Sequence, residues 1–319
     1  MTLGPRYLVR RLVALAATLV AASVVIYGAL SLAPGDPATM LAGGSPPNPQ
    51  VLAEIHKEYH LDDPFWSQYW HWISNAATGD FGQSIVFRGS VSQLLAPRIT
   101  NTLLLISYCG LVIIVVGIGL GMLAALRGRR TDTGITMATT VLMGTPTFVV
   151  AVILSWGFAA KLGWFPVFGG GTGFLDRVWH LTLPALALSG SYLAFLSRTT
   201  RSAIVAEKFS EHVDTARSRG LPSRHIVRRH VMRNASGPIL NVSGAVVAGL
   251  LASTAVIERA FGVNGLGSLL VDSALRKDMA VVMAISLLVV ALFVVIMTIV
   301  DAVNAAIDPR ITAGVGVDA

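Results

Sequence analysis

Charge is what this sequence has least of: 13% of its 319 residues are Asp, Glu, Lys or Arg, against roughly 25% in a typical soluble domain. With 54% hydrophobic residues and a mean hydropathy of +0.68, that scarcity excludes an ordinary soluble enzyme and fits a chain threaded several times through a bilayer. Cysteine is nearly absent. Its one copy, Cys109, lies in an apolar run, which excludes an intrachain disulfide framework and a Cys-based zinc site built by this chain alone. Lysine is scarce as well. The four lysines, Lys57, Lys161, Lys208 and Lys277, follow His, Ala, Glu and Arg, never the Gly of a GxxxxGKS/T phosphate loop, so nucleotide-driven energy must come from a partner. No GxSxG, no HExxH and no pair of carboxylates within an apolar run is present, so no catalytic residue is assigned.

What is there is a set of long apolar intervals. A bilayer core of about 30 Å needs roughly 20 apolar residues as helix, and six intervals qualify: Leu12–Leu32, Ile99–Leu126, Thr133–Ala160, Val178–Ser197, Asn234–Ile257 and Met279–Val300. The predicted class is an all-α integral membrane protein with six transmembrane helices. The first interval follows Arg6, Arg10 and Arg11, but it is longer than the apolar region of a signal peptide, and Pro34 directly follows the one small-residue cleavage candidate, so it reads as a retained helix. The chain then divides into a tail with the first span (1–32), an external segment (33–98), a core of five spans (99–305) with a loop at 198–233, and a C-terminal tail (306–319).

Six spans put both termini on one side. That side, with the loops around 128–132 and 198–233, holds 16 of the 24 basic residues and nets +9, while the other nets −2. The positive-inside rule makes it cytoplasmic, with the chain multi-pass in the plasma (inner) membrane. The same distribution argues against nucleic acid, because the basic excess lies in juxtamembrane loops where membrane lipid accounts for it. Within the spans no Asp, Glu, Lys, Arg or His occurs apart from His180 at the external end of the fourth, so the buried ligands or relays of ion-coupled transporters are missing.

Several smaller patterns carry expectations. Gly117, Gly119 and Gly121 form a predicted close-packing face, and Gly244 with Ala248 repeats the small-xxx-small spacing. Thr145-Pro146-Thr147 interrupts the third span, predicting a kink whose freed carbonyl the threonines can satisfy. The external segment is rich in aromatics, Phe65, Trp66, Tyr69, Trp70 and Trp72, a cluster suited either to the headgroup level or to docking a partner. His56 and His60 stand four apart with Glu54 and Glu58 nearby. Such a pair on a solvated helix needs an identifiable third ligand to hold a metal, and no metal site is assigned.

In the loop, Phe209–Arg219 reads as a short helix. Ser210 suits its N-cap, Glu211 and Asp214 suit its positive end, Arg217 and Arg219 suit its last turn, and Gly220 with Pro222 ends it. Phe209, Val213 and Ala216 recur at helical spacing, an apolar face that fits a partner's groove and the membrane surface equally well.

These residues together resemble the permease subunits of ATP-binding-cassette importers, in the dipeptide, oligopeptide and nickel branch. The likeness runs through Arg6-Tyr7-Leu8-Val9-Arg10-Arg11-Leu12, Pro34-Gly35-Asp36-Pro37, Leu61-Asp62, Gly79-Asp80-Phe81-Gly82-Gln83-Ser84 and Arg98 with Asn101-Thr102-Leu103, where Ile99-Thr100 replace the usual Leu-Pro. It is strongest in the loop, where Asp214, Thr215, Ala216 and Gly220, continuing through Leu221, match an EAA-type motif with Asp-Thr in place of Glu-Ala. Glu258, Phe261 and Gly265-Leu266-Gly267 then match with Asn264 where proline is usual, and Asp301 with Asp308-Pro309-Arg310-Ile311 matches at the end.

The resemblance implies a type I importer permease, itself not an enzyme, that moves di- or oligopeptides; nickel or another small solute is the alternative within the branch. It implies a second homologous permease, two cytoplasmic P-loop ATPases, and an extracytoplasmic binding protein as partners. ATP and Mg are then held at the ATPases and no cofactor by this chain. Glu211, Asp214, Thr215, Ala216, Gly220 and Leu221 become the ATPase-coupling residues. Uncharged polar side chains suit a path for peptide, so Ser107, Tyr108, Thr145, Ser191, Tyr192, Asn241 and Ser243, with Glu258 toward an ammonium group, are path candidates; each also suits a structural hydrogen bond. A passive channel or a membrane sensor would differ in class. The EAA-like loop argues against the first, and the lack of any kinase, cyclase or receiver pattern after the last span argues against the second.

Overall fold

Apolar runs of this length have one stable form in lipid, because only a helix satisfies every backbone group within its own segment. The computed structural model describes residues 5–32, 49–58, 62–84 and 86–307 and is helical almost throughout. The signatures expected at Pro34–Pro37, Leu61 and Asp308–Ile311, and the histidine at 60, lie outside these residues. The elements in order are α1 (Pro5–Ser31), α2 (Pro49–Glu58), α3 (Phe65–Ala77), a two-residue antiparallel pair β1 (Gln83–Ser84) and β2 (Gly89–Ser90), and α4 (Val91–Leu126). They continue with α5 (Arg129–Gly144), α6 (Thr147–Lys161), α7 (Phe174–Lys208), α8 (Glu211–Ser218), α9 (Ser223–Ala260), α10 (Leu266–Leu275) and α11 (Met279–Ile307).

Among the described residues α4, α7, α9 and most of α11 are long and apolar enough to cross a membrane, and α5 with α6 make a fifth if the pair counts as one span. That pair bends by 102° at Thr145-Pro146, the expected kink enlarged to a corner. Single π-helical stretches interrupt α4 at Ile113–Gly117 and α9 at Val227–Val231, and one forms the second half of α6 at Ser155–Lys161.

The chain forms two compact units, one from the residues up to Thr100 with Ser268–Val294, the other from Asn101–Gly267 with the residues from Val295 on. In the first, α3 packs its aromatics on α1. Tyr27 meets the rings of Phe65, Tyr69 and Trp72 at 5.4, 5.7 and 5.4 Å between centroids, and the buried Ser23 and Tyr69 hydroxyls are 2.8 Å apart. Part of this aromatic cluster is therefore packed within the unit, while Trp66 and Trp70 stay 66% and 68% exposed. The buried Asp278, just before α11, accepts hydrogen bonds from the Ser84 hydroxyl at 2.5 Å and the Val86 amide at 3.3 Å, which pins the β1–β2 turn across 194 positions of sequence.

In the second unit α7 is central. It packs on the second half of α4, on α5 and α6, and on the Met232–Ala260 stretch of α9. Gly121 makes the closest of these approaches possible: a Cβ there would lie 2.5 Å from the Ser197 carbonyl oxygen and from Thr200 Cβ. Gly117 faces α7 as well, 3.2 Å from the Leu193 carbonyl oxygen by the same measure. Gly119 does not belong to this face, since nothing lies within 4 Å of its Cβ position. It is two positions from each neighbour, about 200° around the helix. Gly244 lies against Val300, where a Cβ would overlap the valine side chain.

Candidate coupling site

The loop between α7 and α9 is an ordered corner built on this chain's own core. Val213 and Ala216 of α8 are 0% and 4% exposed and join Ala125, Ile204, Ile226 and Val231 in one apolar cluster. The apolar face of α8 is thus occupied from within, while Phe209 is 73% exposed and does not share it. Ser210 sits at the N-cap with extended backbone, but its hydroxyl bonds the Glu207 carbonyl at 2.7 Å rather than a free amide of α8.

The C-terminus of α8 has a Schellman arrangement. Gly220 N–H donates to the Arg217 carbonyl at 2.9 Å and Leu221 N–H to the Ala216 carbonyl at 3.3 Å, with Gly220 at φ +76°. Only a residue free of Cβ strain takes that left-handed conformation at no cost. Among the described residues, its two chain neighbours aside, nothing lies within 4 Å of the Gly220 Cβ position, so the turn presents open backbone. Of the coupling candidates, Glu211, Asp214, Thr215, Gly220 and Leu221 are exposed and Ala216 is buried. Asp214 pairs with Arg217 at 3.0 Å, and the Thr215 hydroxyl bonds the Glu211 carbonyl.

Two polar clusters brace the corner. Asp132 at the start of α5 takes a two-pronged ion pair from Arg201 of α7 at 2.5 and 2.7 Å. His212 bridges Asn234 at 3.1 Å and Glu207 at 3.5 Å, tying α8 to α9 and the end of α7.

Several of the path candidates make hydrogen bonds within the fold. Ser107 and Asn241 are exposed. Tyr192 bonds the Ser253 hydroxyl at 2.5 Å, Tyr108 lies 3.3 Å from the Thr182 hydroxyl, and the buried Ser243 bonds the Ile239 carbonyl of its own helix. Thr145 bonds the Val141 carbonyl at 2.8 Å. Pro146 has no N–H to offer the carbonyl four residues back, Leu142, and that oxygen takes the Ser191 hydroxyl at 3.3 Å instead. Ser191 thereby holds the corner between α5 and α6, a role the expected threonines do not fill at this carbonyl.

Glu258 is fully buried near the end of α9. Leu266 N–H donates to the Thr102 hydroxyl at 2.8 Å, which donates onward to the Glu258 carboxyl at 2.7 Å, while Val263 N–H bonds the Glu258 carbonyl at 2.8 Å. The carboxyl fills the space a side chain at Gly265 would need. This network joins α4, α9 and the first turn of α10. Truncation in Glu258→Ala removes the acceptor of the buried Thr102 hydroxyl at about 1–3 kcal/mol, so the thermal midpoint of the purified protein should drop clearly, whereas Glu258→Gln keeps an acceptor and should lose about 1 kcal/mol. Equal midpoints for both variants and the parent would show that the network carries no stability.

The sequence pattern of the family described as the binding-protein-dependent transport system inner membrane component matches residues 117–313. The pattern of the N-terminal part of such membrane components matches 5–105. The chain belongs to this family. The permease is 34% identical over 313 residues to the oligopeptide transport system permease protein AppB of Bacillus subtilis (strain 168), covering 96% of this chain and 98% of that protein. It is 34% identical over 306 residues to the glutathione transport system permease protein GsiC of Escherichia coli (strain K12), with the same two coverages, 96% and 98%. In fold it matches a chain of the methionine ABC transporter MetNI in inward-facing conformations, with TM-score 0.56 and 18% identity over 68% of this chain and 97% of that one. A chain of an amino acid ABC transporter with histidines matches with TM-score 0.54 and 15% identity, over 67% and 94%.

Sequence reasoning about this permease did not find the pairs Asp132–Arg201, Thr102–Glu258 and Ser191–Leu142. Each joins residues 49 to 156 positions apart. The charges of Asp132 and Arg201 at the ends of apolar intervals are the one signal visible in the sequence, and they point only to the first pair.

Proposed function

We propose that this permease is the membrane subunit of an ATP-driven importer of di- or oligopeptides, with six spans and both termini in the cytoplasm. The observation that carries the reading is similarity along nearly the whole chain, at 34% identity, to permeases named for oligopeptide and for glutathione. The first span is then α1, the third is the α5–α6 pair, and the basic loop holding α8 faces the cytoplasm, in keeping with its charge. A second homologous permease completes the path, an extracytoplasmic binding protein delivers the peptide, and two cytoplasmic P-loop ATPases supply ATP and Mg. The chain itself binds no cofactor and catalyses no reaction; it is conduit and lever.

In this reading the ATPase meets the outward face of α8, Glu211, Asp214 and Thr215, with Gly220 and Leu221 at its end. Because Val213 and Ala216 are locked into the core beneath, a push on α8 reaches α4, α7 and α9 as displacement of a packed cluster rather than as bending of a loose loop. The test has two parts. Mild-detergent purification of the tagged chain from its native membranes should bring down a P-loop ATPase and a second permease near stoichiometrically. The reconstituted assembly with its binding protein should then take up labelled di- or oligopeptide only with ATP. Nickel uptake without peptide uptake would move the substrate, and a chain that purifies alone even after crosslinking would overturn the importer reading.

A further inference from the structure

Between α4, α8 and the start of α9 lies a groove of about 530 Å³, within the range of about 300–1,000 Å³ typical of ligand sites. Its floor is apolar, with Met122 and Leu126 from the end of α4 and Val231 and Met232 from α9. Its rim is cationic: Lys208, Arg217, Arg224 and Arg228 line it, and no acidic residue does. Of the four, only Arg217 makes an ion pair among the described residues, with Asp214. Three cations therefore face a hydrophobic trough without a counter-charge in the described residues.

The helical geometry of α8 sets this groove apart from the face proposed for the ATPase. Val213 and Arg217, four residues apart, line the groove. Glu211 and Thr215 point more than about 100° away from that line, while Asp214 stands between the two faces and pairs with Arg217 at 3.0 Å. The groove lies where α4 ends and α9 begins, at the ends of two helices long and apolar enough to cross a membrane, and the end of a spanning helix is where lipid headgroups are met.

We infer that this groove is a binding site for an anionic phospholipid, with the phosphate between Arg224, Arg228 and Lys208 and an acyl chain along Met122 and Leu126. A free anion would leave the apolar floor uncovered, and an uncharged lipid would leave the cations unpaired. A lipid with an anionic head satisfies both, as basic pockets at the ends of membrane helices do. The inference uses the proposed orientation only in assigning the lipid to the cytoplasmic leaflet.

The experiment is photo-crosslinking of the full-length chain, purified with its subunits and placed in nanodiscs that carry a photoactivatable phosphatidylglycerol or phosphatidylcholine, followed by peptide mapping. Phosphatidylglycerol should label peptides spanning 122–126 and 223–232 in strong excess over phosphatidylcholine. Arg224→Gln with Arg228→Gln should cut that labelling about tenfold or more while the subunits still co-purify, and inorganic phosphate should not compete. Equal labelling by the two lipids, competition by phosphate, or crosslinks from the groove to another subunit instead of lipid would each overturn it. Because nanodiscs expose both leaflets, a loop found external by an impermeant reagent would correct the orientation and leave the lipid result standing.

Discussion

Gly220→Arg should bring ATP-driven uptake to background while the protein still inserts and accumulates in the membrane at its normal level. The structure separates the two outcomes. Nothing in the described chain lies within 4 Å of the Gly220 Cβ position, so an arginine there meets no internal clash. Its cost to folding is the left-handed backbone at φ +76°, about 1–2 kcal/mol for an ordinary residue, partly offset by a cation beside the carbonyl end of α8. That is too little to unfold a multi-span protein. What the side chain does obstruct is the surface beyond the turn, where the ATPase is proposed to seat. Gly220→Asn provides the control, because asparagine tolerates the same conformation and is short; it should keep most of the uptake. The measurement is peptide uptake normalised to membrane-embedded protein, together with recovery of the ATPase on purification. Unchanged uptake in the arginine variant would remove α8 and its terminal turn from the coupling surface.

How legible this site was in the sequence follows from the range of the forces involved. The presence of α8 and its stop at Gly220 come from local chemistry acting within four residues and could be read directly, whereas its start at Glu211 falls two residues after the expected Phe209 and the helix from Ser223 precedes the apolar interval expected from Asn234. The partner of its apolar face could not. A helix packed on its own core and a helix docked in another protein show the same spacing of apolar residues; the burial of Val213 and the exposure of Phe209 separate the two only in three dimensions. Likewise a proline in a span signals a corner, but not that Ser191, 49 positions on, would cover the orphaned carbonyl. The aromatic segment behaved similarly. Its composition pointed to an interface, and the Tyr27 contacts show that α3 spends several rings on α1 before any are left for lipid or partner.

The glycines of α4 give the second large effect and test the same distinction. Gly121→Val is expected to abolish accumulation of folded protein, because the first atom added would stand 2.5 Å from the Ser197 carbonyl oxygen and the Thr200 Cβ. One of these is backbone and the other is fixed to it, so neither can rotate away. Relief requires moving α7 off α4, and α7 is the helix against which α5, α6 and α9 also pack. Overpacking in a well-packed core costs about 1–3 kcal/mol and occasionally more. Here it falls on the central helix, where lipid offers no hydrophobic drive to re-form the contact and close packing supplies much of the association. Gly119→Val, two residues away on the open side of α4, should accumulate normally and keep its thermal midpoint, since nothing lies within 4 Å of that Cβ position. Fluorescence-detected size-exclusion of the two variants, with a heating step, makes the comparison. If both behave alike, the approach of α4 to α7 at Gly121 is not what holds the second unit together, and the transmission of force from α8 through Ala125 and Ile204 to these helices would need another route.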